Sequence, residues 1–286
     1  MPAPPSHIRG LRCRPSSTGD MSAEASVVIT TYNSSRTIAG CLSSLLDLDP
    51  CEVPGRIVVF DNASSDGTPG LCASFRDVRT VRCRRNLGLA RANNIAAGLC
   101  GPGPVLFLNP DVIVRPGSIS RLEAFCSESD GIGIAGPRLL SADGRIQSSA
   151  RRFPDPSAIA ARRTPWGRTR AGRAAIERHM PHTPDDNPTP VDWLVGAAMF
   201  VTARGREAFG LMSERYFLYF EDVEMCWRAW ENGFEVWYVP DAVMEHESRR
   251  ESAGRPGRAL WLHLRSMVRF YTDHPGALTG RCPRPC

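Results

Sequence analysis

The segment Val27-Val28-Ile29-Thr30-Thr31-Tyr32-Asn33-Ser34-Ser35 gives the clearest indication of how this chain folds. Its first five residues are apolar or β-branched, which is typical of a short buried strand, and the polar residues after them are typical of a turn and a helix cap. Apolar residues then recur at helical spacing, at Ile38, Cys41, Leu42, Leu45 and Leu46. The segment therefore predicts a strand, a loop and a helix in succession.

The same strand–loop–helix pattern recurs further along the chain. Strands are expected at residues 56–60, 78–82 and 104–108, and helices to about residue 75 and over residues 87–99. Strands that alternate with helices at this spacing predict a mainly parallel sheet covered by helices on both faces. A later strand is expected at 235–239, and a last helix, over 258–271, has one apolar face. That face predicts packing on the domain, with contact to a membrane surface as the alternative.

Polar side chains follow three of the predicted strands, where the ligands of such sheets bind. Asn33 follows the first strand, Asp61 and Asp66 the second, and Asn109 and Asp111 the fourth. Asp61 can accept hydrogen bonds from a nucleobase or a ribose, and an ordinary Asx turn is the alternative. No Gly-x-Gly-x-x-Gly motif follows the first strand, which disfavours a nicotinamide or flavin site and leaves a mononucleotide site open.

The turn Asn109-Pro110-Asp111 and His246 are candidate metal ligands. A carboxylate on a tight turn can bind Mg²⁺ or Mn²⁺, which would bridge to the phosphates of a ligand. His246 follows a predicted strand between Glu245 and Glu247 and can donate nitrogen to the same ion. An ordinary turn and a structural histidine are the alternatives.

An acidic pair, Glu221 and Asp222, ends the aromatic run 216–220 and begins a helical pattern. Negative charge in the first turn of a helix is stabilised by the helix dipole, so these residues either hold a carboxylate ready to take a proton or only charge the helix end. Upstream, Trp193 lies near Gly196, as in a platform that stacks on a sugar; core packing is the alternative for the indole.

Arginines surround the start of the helix predicted at 87–99, which follows Asn86. The helix N-terminus and the side chains of Arg84, Arg85 and Arg91 can bind diphosphate oxygens, and solvated surface arginines are the alternative.

Composition excludes several classes of protein. The 286-residue chain has a net charge of +5 and contains no Lys, which excludes a P-loop, a Schiff-base lysine and a protein kinase. No apolar run approaches the roughly 20 residues of a membrane span, and no signal peptide is evident, so a cytoplasmic protein is expected. The ten cysteines form no Cys-x-x-Cys pair, which favours free thiols; Cys282 and Cys286 leave a metal or disulfide open. Nucleic-acid binding is not expected, because no recognition motif accompanies the arginines.

The pattern divides the chain into five parts. We expect a disordered leader at 1–25, a first ordered half at 26–150, a mobile basic loop at 151–190, a second ordered half at 191–275, and a tail at 276–286. The basic segment has eight Arg against four acidic residues. It either contacts an anionic membrane or a lipid-linked pyrophosphate, or is simply solvated.

Seven segments in this order resemble glycosyltransferase family 2, and most closely its bacterial rhamnosyltransferase-like branch: 27–33, 57–68, 86–94, 106–112, 193–200, 216–233 and 236–248. The resemblance covers about residues 26–275. It implies that the half at 26–150 binds the nucleotide sugar and that the half at 191–275 binds the acceptor and holds the catalytic residues. It implies a GT-A fold, which is a Rossmann-like sheet with an appended acceptor-binding region. It also implies a site whose members are Thr31, Tyr32, Asn33, Asp61 and Asn86 for the nucleotide, Asn109, Asp111 and His246 for a divalent cation, Asp222 as catalytic base with Glu221 beside it, and Trp193 and Gly196 for the acceptor.

One position departs from the family pattern, because the metal motif begins with Asn109 rather than Asp; one charge fewer is expected to weaken metal affinity. The implied reaction is an inverting transfer of a sugar from a nucleoside diphosphate to a hydroxyl group. The donor would be dTDP-rhamnose or a UDP- or GDP-sugar. The acceptor would be a glycan, a secondary metabolite or a lipid-linked acceptor, reached by peripheral contact with the inner face of the cell membrane. A sugar nucleotidyltransferase and a catalytically silent carbohydrate-binding protein remain alternatives.

Overall fold

The structure, a computed structural model, describes residues 24–153, 155–179, 186–247, 256–279 and 283–284. Nearly all of the expected leader, and also Cys282 and Cys286, lie outside the described residues. The seven cysteines within the described residues carry free thiols, as expected.

The strands and helices alternate through most of the described chain. The strands are β1 Ser26–Thr31, β2 Arg56–Asp61, β3 Val78–Arg82, β4 Val105–Leu108, β5 Val112–Val114, β6 Ile132–Leu140, β7 Ile146–Gln147, β8 Ala150–Arg151, β9 Thr189–Pro190, β10 Trp193–Leu194, β11 Ala198–Val201 and β12 Glu235–His246. The helices are α1 Ile38–Leu46, α2 Thr68–Ala73, α3 Leu89–Gly98, α4 Ser118–Ser127, α5 Pro156–Arg163, α6 Arg170–His179, α7 Ala203–Phe209, α8 Glu221–Glu231 and α9 Pro256–Asp273. Short 3₁₀ helices span Pro165–Arg168 and Pro275–Thr279.

One large sheet has the strand order β3-β2-β1-β4-β11-β6-β12-β5. Strands β3, β2, β1 and β4 are parallel, so their carboxyl ends share one edge. Strand β11 lies antiparallel between β4 and β6, and β12 pairs in parallel with β6. The expected α/β architecture, a mostly parallel sheet flanked by helices, is confirmed.

The continuous apolar strands are explained by burial on both faces. In β1, Val27 and Ile29 pack in one core cluster while Val28 packs in the other. The same alternation occurs in β4, where Leu106 and Phe107 belong to opposite faces. Alternate side chains of a strand point to opposite faces, so a strand covered on both faces is apolar throughout.

A third cluster joins the two helices nearest the acidic pair. Tyr216, Phe220, Val223 and Trp227, before and within α8, pack against Phe270 of α9. This cluster fixes the start of α8, which begins with Glu221 and Asp222.

The segment 151–190, expected to be a mobile basic loop, contains helices in its described part, so the expectation of a loop is wrong there, while its mobility stays a prediction. Helix α5 begins at Pro156, after Asp155, whose side chain accepts a hydrogen bond of 2.7 Å from the backbone N–H of Ser157. A proline in the first turn begins a helix rather than breaking one, and the buried side chains of α5 and α6 are small alanines that give little apolar signal. The division of the chain into five parts stays a prediction.

Strand β12 is longer than the expected 235–239, and it continues to His246. In the described part of the chain, no helix combines the length and apolarity needed to cross a membrane.

Candidate active site

The ends of β1 and β2 are joined by side chains that fix the loop between strand and helix. The hydroxyl of Thr31 donates to Oδ1 of Asp61 over 3.2 Å, and the backbone N–H of Ser64 donates to Oδ2 over 3.3 Å. Arg82 Nε lies 3.7 Å from the same oxygen. Asp61 is fully buried, so it organises this turn, and its contact with a nucleoside stays a prediction.

The loop after β1 is held in a left-handed conformation. Asn33 has φ 54°, its N–H donates to Ser64 Oγ over 2.9 Å, and its side-chain oxygen accepts from Ser65 N–H over 2.8 Å. Asn tolerates this conformation better than other non-glycine residues do. Beside it, the ring of Tyr32 is half exposed and free to face a ligand, as the nucleotide prediction requires.

Asn86 shapes the entry to α3. Its side-chain oxygen accepts from Gly88 N–H over 2.9 Å and from the side-chain amide of Asn62 over 3.1 Å. The first helical N–H, that of Leu89, donates to Phe217 O over 2.8 Å. That group is therefore occupied, and the predicted diphosphate site at this helix end has fewer donors than the sequence suggested. Arg91 forms an ion pair with Glu214.

Two of the predicted metal ligands, Asp111 and His246, face each other. His246 Nε2 lies 3.4 Å from Asp111 Oδ1, which is buried and accepts no hydrogen bond. The two residues meet because β5, which follows the Asn109–Asp111 turn, pairs with the end of β12, with His246 opposite Val112.

The tautomer of His246 follows from Gln147, which the sequence gave no reason to select. The side-chain N–H of Gln147 donates to His246 O over 2.6 Å, so its oxygen faces His246 Nδ1, 3.0 Å away. An amide oxygen only accepts, so Nδ1 carries the hydrogen and, in the neutral ring, Nε2 keeps its lone pair toward Asp111.

These two residues fit a hard divalent cation. A divalent cation between them could bind both the unpaired carboxylate oxygen of Asp111 and the lone pair of His246 Nε2, because these two atoms face each other. No group of three or more His, Cys, Asp or Glu side chains suited to a metal occurs among the residues that the structure describes. The protein would therefore supply few ligands, and phosphate oxygens and water would supply the rest, as is usual for Mg²⁺.

The acidic pair lies at a strained helix start. Tyr219 and Phe220 have φ 70° and 69°, and non-glycine residues in this region are typical of functional sites. Asp222 Oδ2 accepts from Gly196 N–H over 3.0 Å, and Oδ1 accepts from Val223 N–H over 2.9 Å. Glu221 is 5% exposed, and its Oε2 has no hydrogen-bond partner.

The surroundings of the two carboxyl groups affect their pKa values differently. Burial, and then the charge of Asp222, raise the pKa of Glu221 to about 8. Burial also raises the pKa of Asp222, but the N–H groups of Gly196 and Val223 and the charge of Arg151 oppose that increase. The two backbone hydrogen bonds therefore favour the charge on Asp222 and the proton on Glu221.

The loop between β10 and β11 links the acidic pair to the metal side. Gly196 donates to Asp222, and the next residue, Ala197, accepts from Asn109 N–H over 2.8 Å. A β-carbon at Gly196 would lie 3.3 Å from Asp222 Oδ2, so a larger residue there would require the Asp222 side chain to shift by a few tenths of an ångström. Asp222 and the Asn109–Asp111 turn thus belong to one edge of the sheet, the edge at which β1 and β2 also end.

The indole of Trp193 is held by packing and by a hydrogen bond, and its contact with the acceptor stays a prediction. Its Nε1 donates to Arg152 O over 2.7 Å, and its ring packs against two core clusters. The guanidinium of Arg151 lies 5.8 Å from the ring centre. Arg151 is a second residue that sequence reasoning missed; only the β8–β10 pairing, which has no sequence signal, brings it here.

Comparisons with known proteins agree with this geometry. The family model described as Glycosyl transferase family 2 matches residues 26–182. An N-acetylglucosaminyl-diphospho-decaprenol L-rhamnosyltransferase of Mycobacterium tuberculosis is 31% identical over 271 residues, 87% of this chain and 85% of the relative. A dTDP-rhamnosyl transferase of Shigella flexneri is 24% identical over 254 residues, 88% of this chain and 77% of the relative.

Solved structures share the fold. GalNAc-T7, crystallised with UDP, GalNAc and Mn²⁺, superposes with a TM-score of 0.62 at 18% identity, covering 89% of this chain but 48% of that one. S. aureus TarS in complex with UDP gives a TM-score of 0.53 at 18% identity, covering 80% of this chain and 62% of that one. This chain thus spans about half to two thirds of those structures, and the likeness extends to the fold, which is GT-A as expected. The family match covers more than half of the chain, and the mycobacterial relative covers most of it: the chain belongs to glycosyl transferase family 2 and is a glycosyltransferase.

Proposed function

We propose that this enzyme transfers an L-rhamnosyl residue from dTDP-rhamnose to a hydroxyl group of a lipid-linked acceptor, with inversion at the transferred sugar. The names of the mycobacterial and Shigella relatives support rhamnose as the sugar, and the mycobacterial name supports a polyprenyl-diphosphate-linked acceptor. UDP- and GDP-sugars are the competing donors. A lipid-linked acceptor implies an enzyme that works in the cytoplasm at the inner face of the cell membrane.

The observation that carries the proposal is the setting of Asp222. Its carboxylate accepts hydrogen bonds from two backbone N–H groups. Through hydrogen bonds, the backbone of Gly196 and Ala197 connects this carboxylate to the Asn109–Asp111 turn. A carboxylate fixed in this way can take the proton of an acceptor hydroxyl as the hydroxyl oxygen bonds to the anomeric carbon. On the opposite side of that carbon, the bond to the diphosphate oxygen breaks, and the configuration inverts.

Glu221 would act in its protonated form. A neutral carboxyl group donates one hydrogen bond and accepts others, so Glu221 can orient an acceptor hydroxyl without competing for its proton. The absence of a hydrogen-bond partner at Glu221 Oε2 supports this role.

Asp111 and His246, with Asn109, would hold Mg²⁺ or Mn²⁺, which stabilises the negative charge of the departing diphosphate. The orphaned oxygen of Asp111 and the lone pair of His246 support this assignment. Thr31, Tyr32, Asn33, Asp61 and Asn86 would form the nucleotide side, and Gly196 and Trp193 the acceptor side.

A donor panel tests the proposal. The protein is incubated with dTDP-rhamnose, UDP-sugars or GDP-sugars, Mg²⁺ or Mn²⁺, and a polyprenyl-diphospho-N-acetylglucosamine. Free nucleoside diphosphate and glycosylated lipid are then measured. We expect both products with dTDP-rhamnose. Release of pyrophosphate would instead indicate a nucleotidyltransferase, and transfer only from a UDP- or GDP-sugar would refute the donor assignment.

A further inference from the structure

Helix α9 presents an apolar stripe to solvent. Leu260, Leu264 and Val268 follow one another at intervals of four residues, which places them in one row along the helix. Val268 is 60% exposed, and Trp261, in the neighbouring row, is 57% exposed. Singly exposed apolar residues are ordinary, but a continuous row beside an exposed indole marks an interaction surface.

The neighbouring row adds positive charge. Trp261, Arg265 and Arg269 are also spaced by four residues, and the guanidinium of Arg265 lies 5.4 Å from the Trp261 ring centre. A shallow groove of about 480 Å³ runs between this row and Arg215. The carboxylate that lines this groove, Asp273, is paired with Arg215 over 2.9 Å, so Arg265 and Arg269 set the charge of the surface.

The opposite side of α9 holds the segment that leads into the acidic pair. Ser266 Oγ donates to Leu218 O over 2.9 Å, and the His263 ring lies 5.3 Å from the Phe220 ring. Phe270 is fully buried against Phe220 and Trp227. A surface that docks on the exposed stripe would therefore lie one helix diameter, roughly 10 Å, from the loop before Glu221 and Asp222.

We propose that the exposed face of α9, formed by Leu260, Trp261, Leu264, Arg265, Val268 and Arg269, docks on the surface of an anionic lipid bilayer. An apolar row with an interfacial Trp and flanking Arg has the composition of helices that lie in the headgroup region. The Arg stems extend along apolar surface while the guanidinium groups reach lipid phosphates.

The same charges disfavour a second copy of the chain. A two-fold dimer through this face would place Arg265 and Arg269 of one copy against the same residues of the other, and like charges in an interface are destabilising. The purpose of docking, access to a lipid-linked acceptor, rests on the proposed function; the docking itself does not.

Co-sedimentation of the full chain with vesicles tests the proposal, with no donor or acceptor present. We expect binding to vesicles of phosphatidylglycerol mixed with phosphatidylcholine, weakening as salt is raised, and much weaker binding to phosphatidylcholine alone. Arg265→Gln with Arg269→Gln should reduce binding to anionic vesicles by about tenfold or more at low salt. Trp261→Glu with Val268→Glu should lower binding similarly. Ile146→Glu, an equally drastic change at an exposed position on β7, should leave it unchanged.

Melting temperatures of the variants are measured in parallel. If the variant with Trp261→Glu and Val268→Glu is unstable, the Arg→Gln pair and the salt dependence of the unmodified chain still test whether this face binds anionic vesicles. Binding that is absent, or that is the same for the Arg→Gln pair and the unmodified chain, overturns the proposal. A concentration-dependent dimer in sedimentation equilibrium that Val268→Glu abolishes would also overturn it, in favour of a protein contact. Transfer from the donor panel is scored separately, so the two proposals can fail independently.

Discussion

The carboxyl groups of Glu221 and Asp222 are neighbours in sequence but have different surroundings. Two N–H groups hold Asp222, whereas Oε2 of the buried Glu221 has no hydrogen-bond partner. Charge is therefore favoured on Asp222 and a proton on Glu221. This difference at the scale of single residues should appear in turnover and in its pH dependence.

Replacing Asp222 by Asn removes the proposed base and keeps one of its two hydrogen bonds, because the amide oxygen can accept from Gly196 N–H but the amide NH2 cannot accept from Val223 N–H. We expect turnover to fall by roughly 10²–10⁴, the usual contribution of a general base, with a modestly lower melting temperature and nearly unchanged donor affinity. Initial rates of diphosphate release check this. Asp241→Asn, at an exposed position on β12, is the matched control and should be fully active. An Asp222→Asn enzyme of near-normal rate would remove Asp222 from the mechanism.

The pH dependence of rate and stability should report the acidic pair. The rate should rise as Asp222 ionises and fall as pH passes about 8, where the pKa of Glu221 lies and its proton is lost. Because burial raises this pKa above its ordinary 4.5, the folded state binds the proton more tightly, so stability should decrease as pH rises between these two values. The slope is at most about 1.4 kcal/mol per pH unit.

Glu221→Gln supplies the comparison for this pH dependence. The variant should lose the alkaline fall in rate and flatten the stability slope, measured by urea unfolding at several pH values. Identical profiles for the variant and the unmodified chain would show that Glu221 does not titrate in this range.

Gln147→Ala should weaken the metal site without touching a proposed ligand. Gln147 fixes the His246 tautomer through a pair of hydrogen bonds, and removal of such supporting groups typically lowers metal affinity by about 10–100-fold. The Mn²⁺ concentration that gives half-maximal turnover should rise by that factor, while the rate at saturating Mn²⁺ changes little. An unchanged Mn²⁺ dependence would contradict the role given to His246.

At the scale of elements, the sequence predicted the strands, turns and helices whose residue pattern is strong over a few neighbouring residues. The strand and polar turn at 26–35 and the helix that begins with Glu221 were placed correctly because their apolar periodicity is strong. The Gln147–His246 pair was not predictable, because β7 is two residues long and meets the end of β12 only through the pairing of β6 with β12, which are distant in sequence. Helix α5 has little sequence signal, because the buried side chains described in it are alanines and because it begins with Pro156, a residue typical of loops.

Two glycines, one just before α3 and one at its end, allow a matched test of how this helix is joined to the site. Gly88 has φ 87°, and a β-carbon there would lie 2.6 Å from Phe217 O, in the segment that leads to the acidic pair. Gly98, at the other end of α3, has no atom within 4 Å of such a carbon. We expect Gly88→Ala to destabilise the protein by about 1–3 kcal/mol and to lower turnover. Gly98→Ala should be neutral or stabilising by up to about 1 kcal/mol. Urea unfolding measures both.

At the scale of the whole molecule, the residues proposed to bind the nucleotide, those proposed to bind the metal and the acidic pair lie along one edge of one sheet, so the binding of a nucleoside diphosphate should stabilise the entire fold. A ligand that binds only the folded state at a concentration of 100 Kd contributes about 2.7 kcal/mol of stability. That corresponds to an increase in melting temperature of roughly 5–10 °C for a domain of this size.

We expect dTDP to give the largest increase in melting temperature in the presence of Mn²⁺, with UDP and GDP giving smaller ones, and a chelator to reduce the increase with dTDP. Adenosine diphosphate at the same concentration is the control for nonspecific diphosphate binding. Equal shifts for all four nucleotides would show that the site does not select the base and would remove the support for dTDP-rhamnose as donor. A dTDP shift that the chelator leaves unchanged would indicate that arginines bind the diphosphate, rather than a cation held by Asp111 and His246.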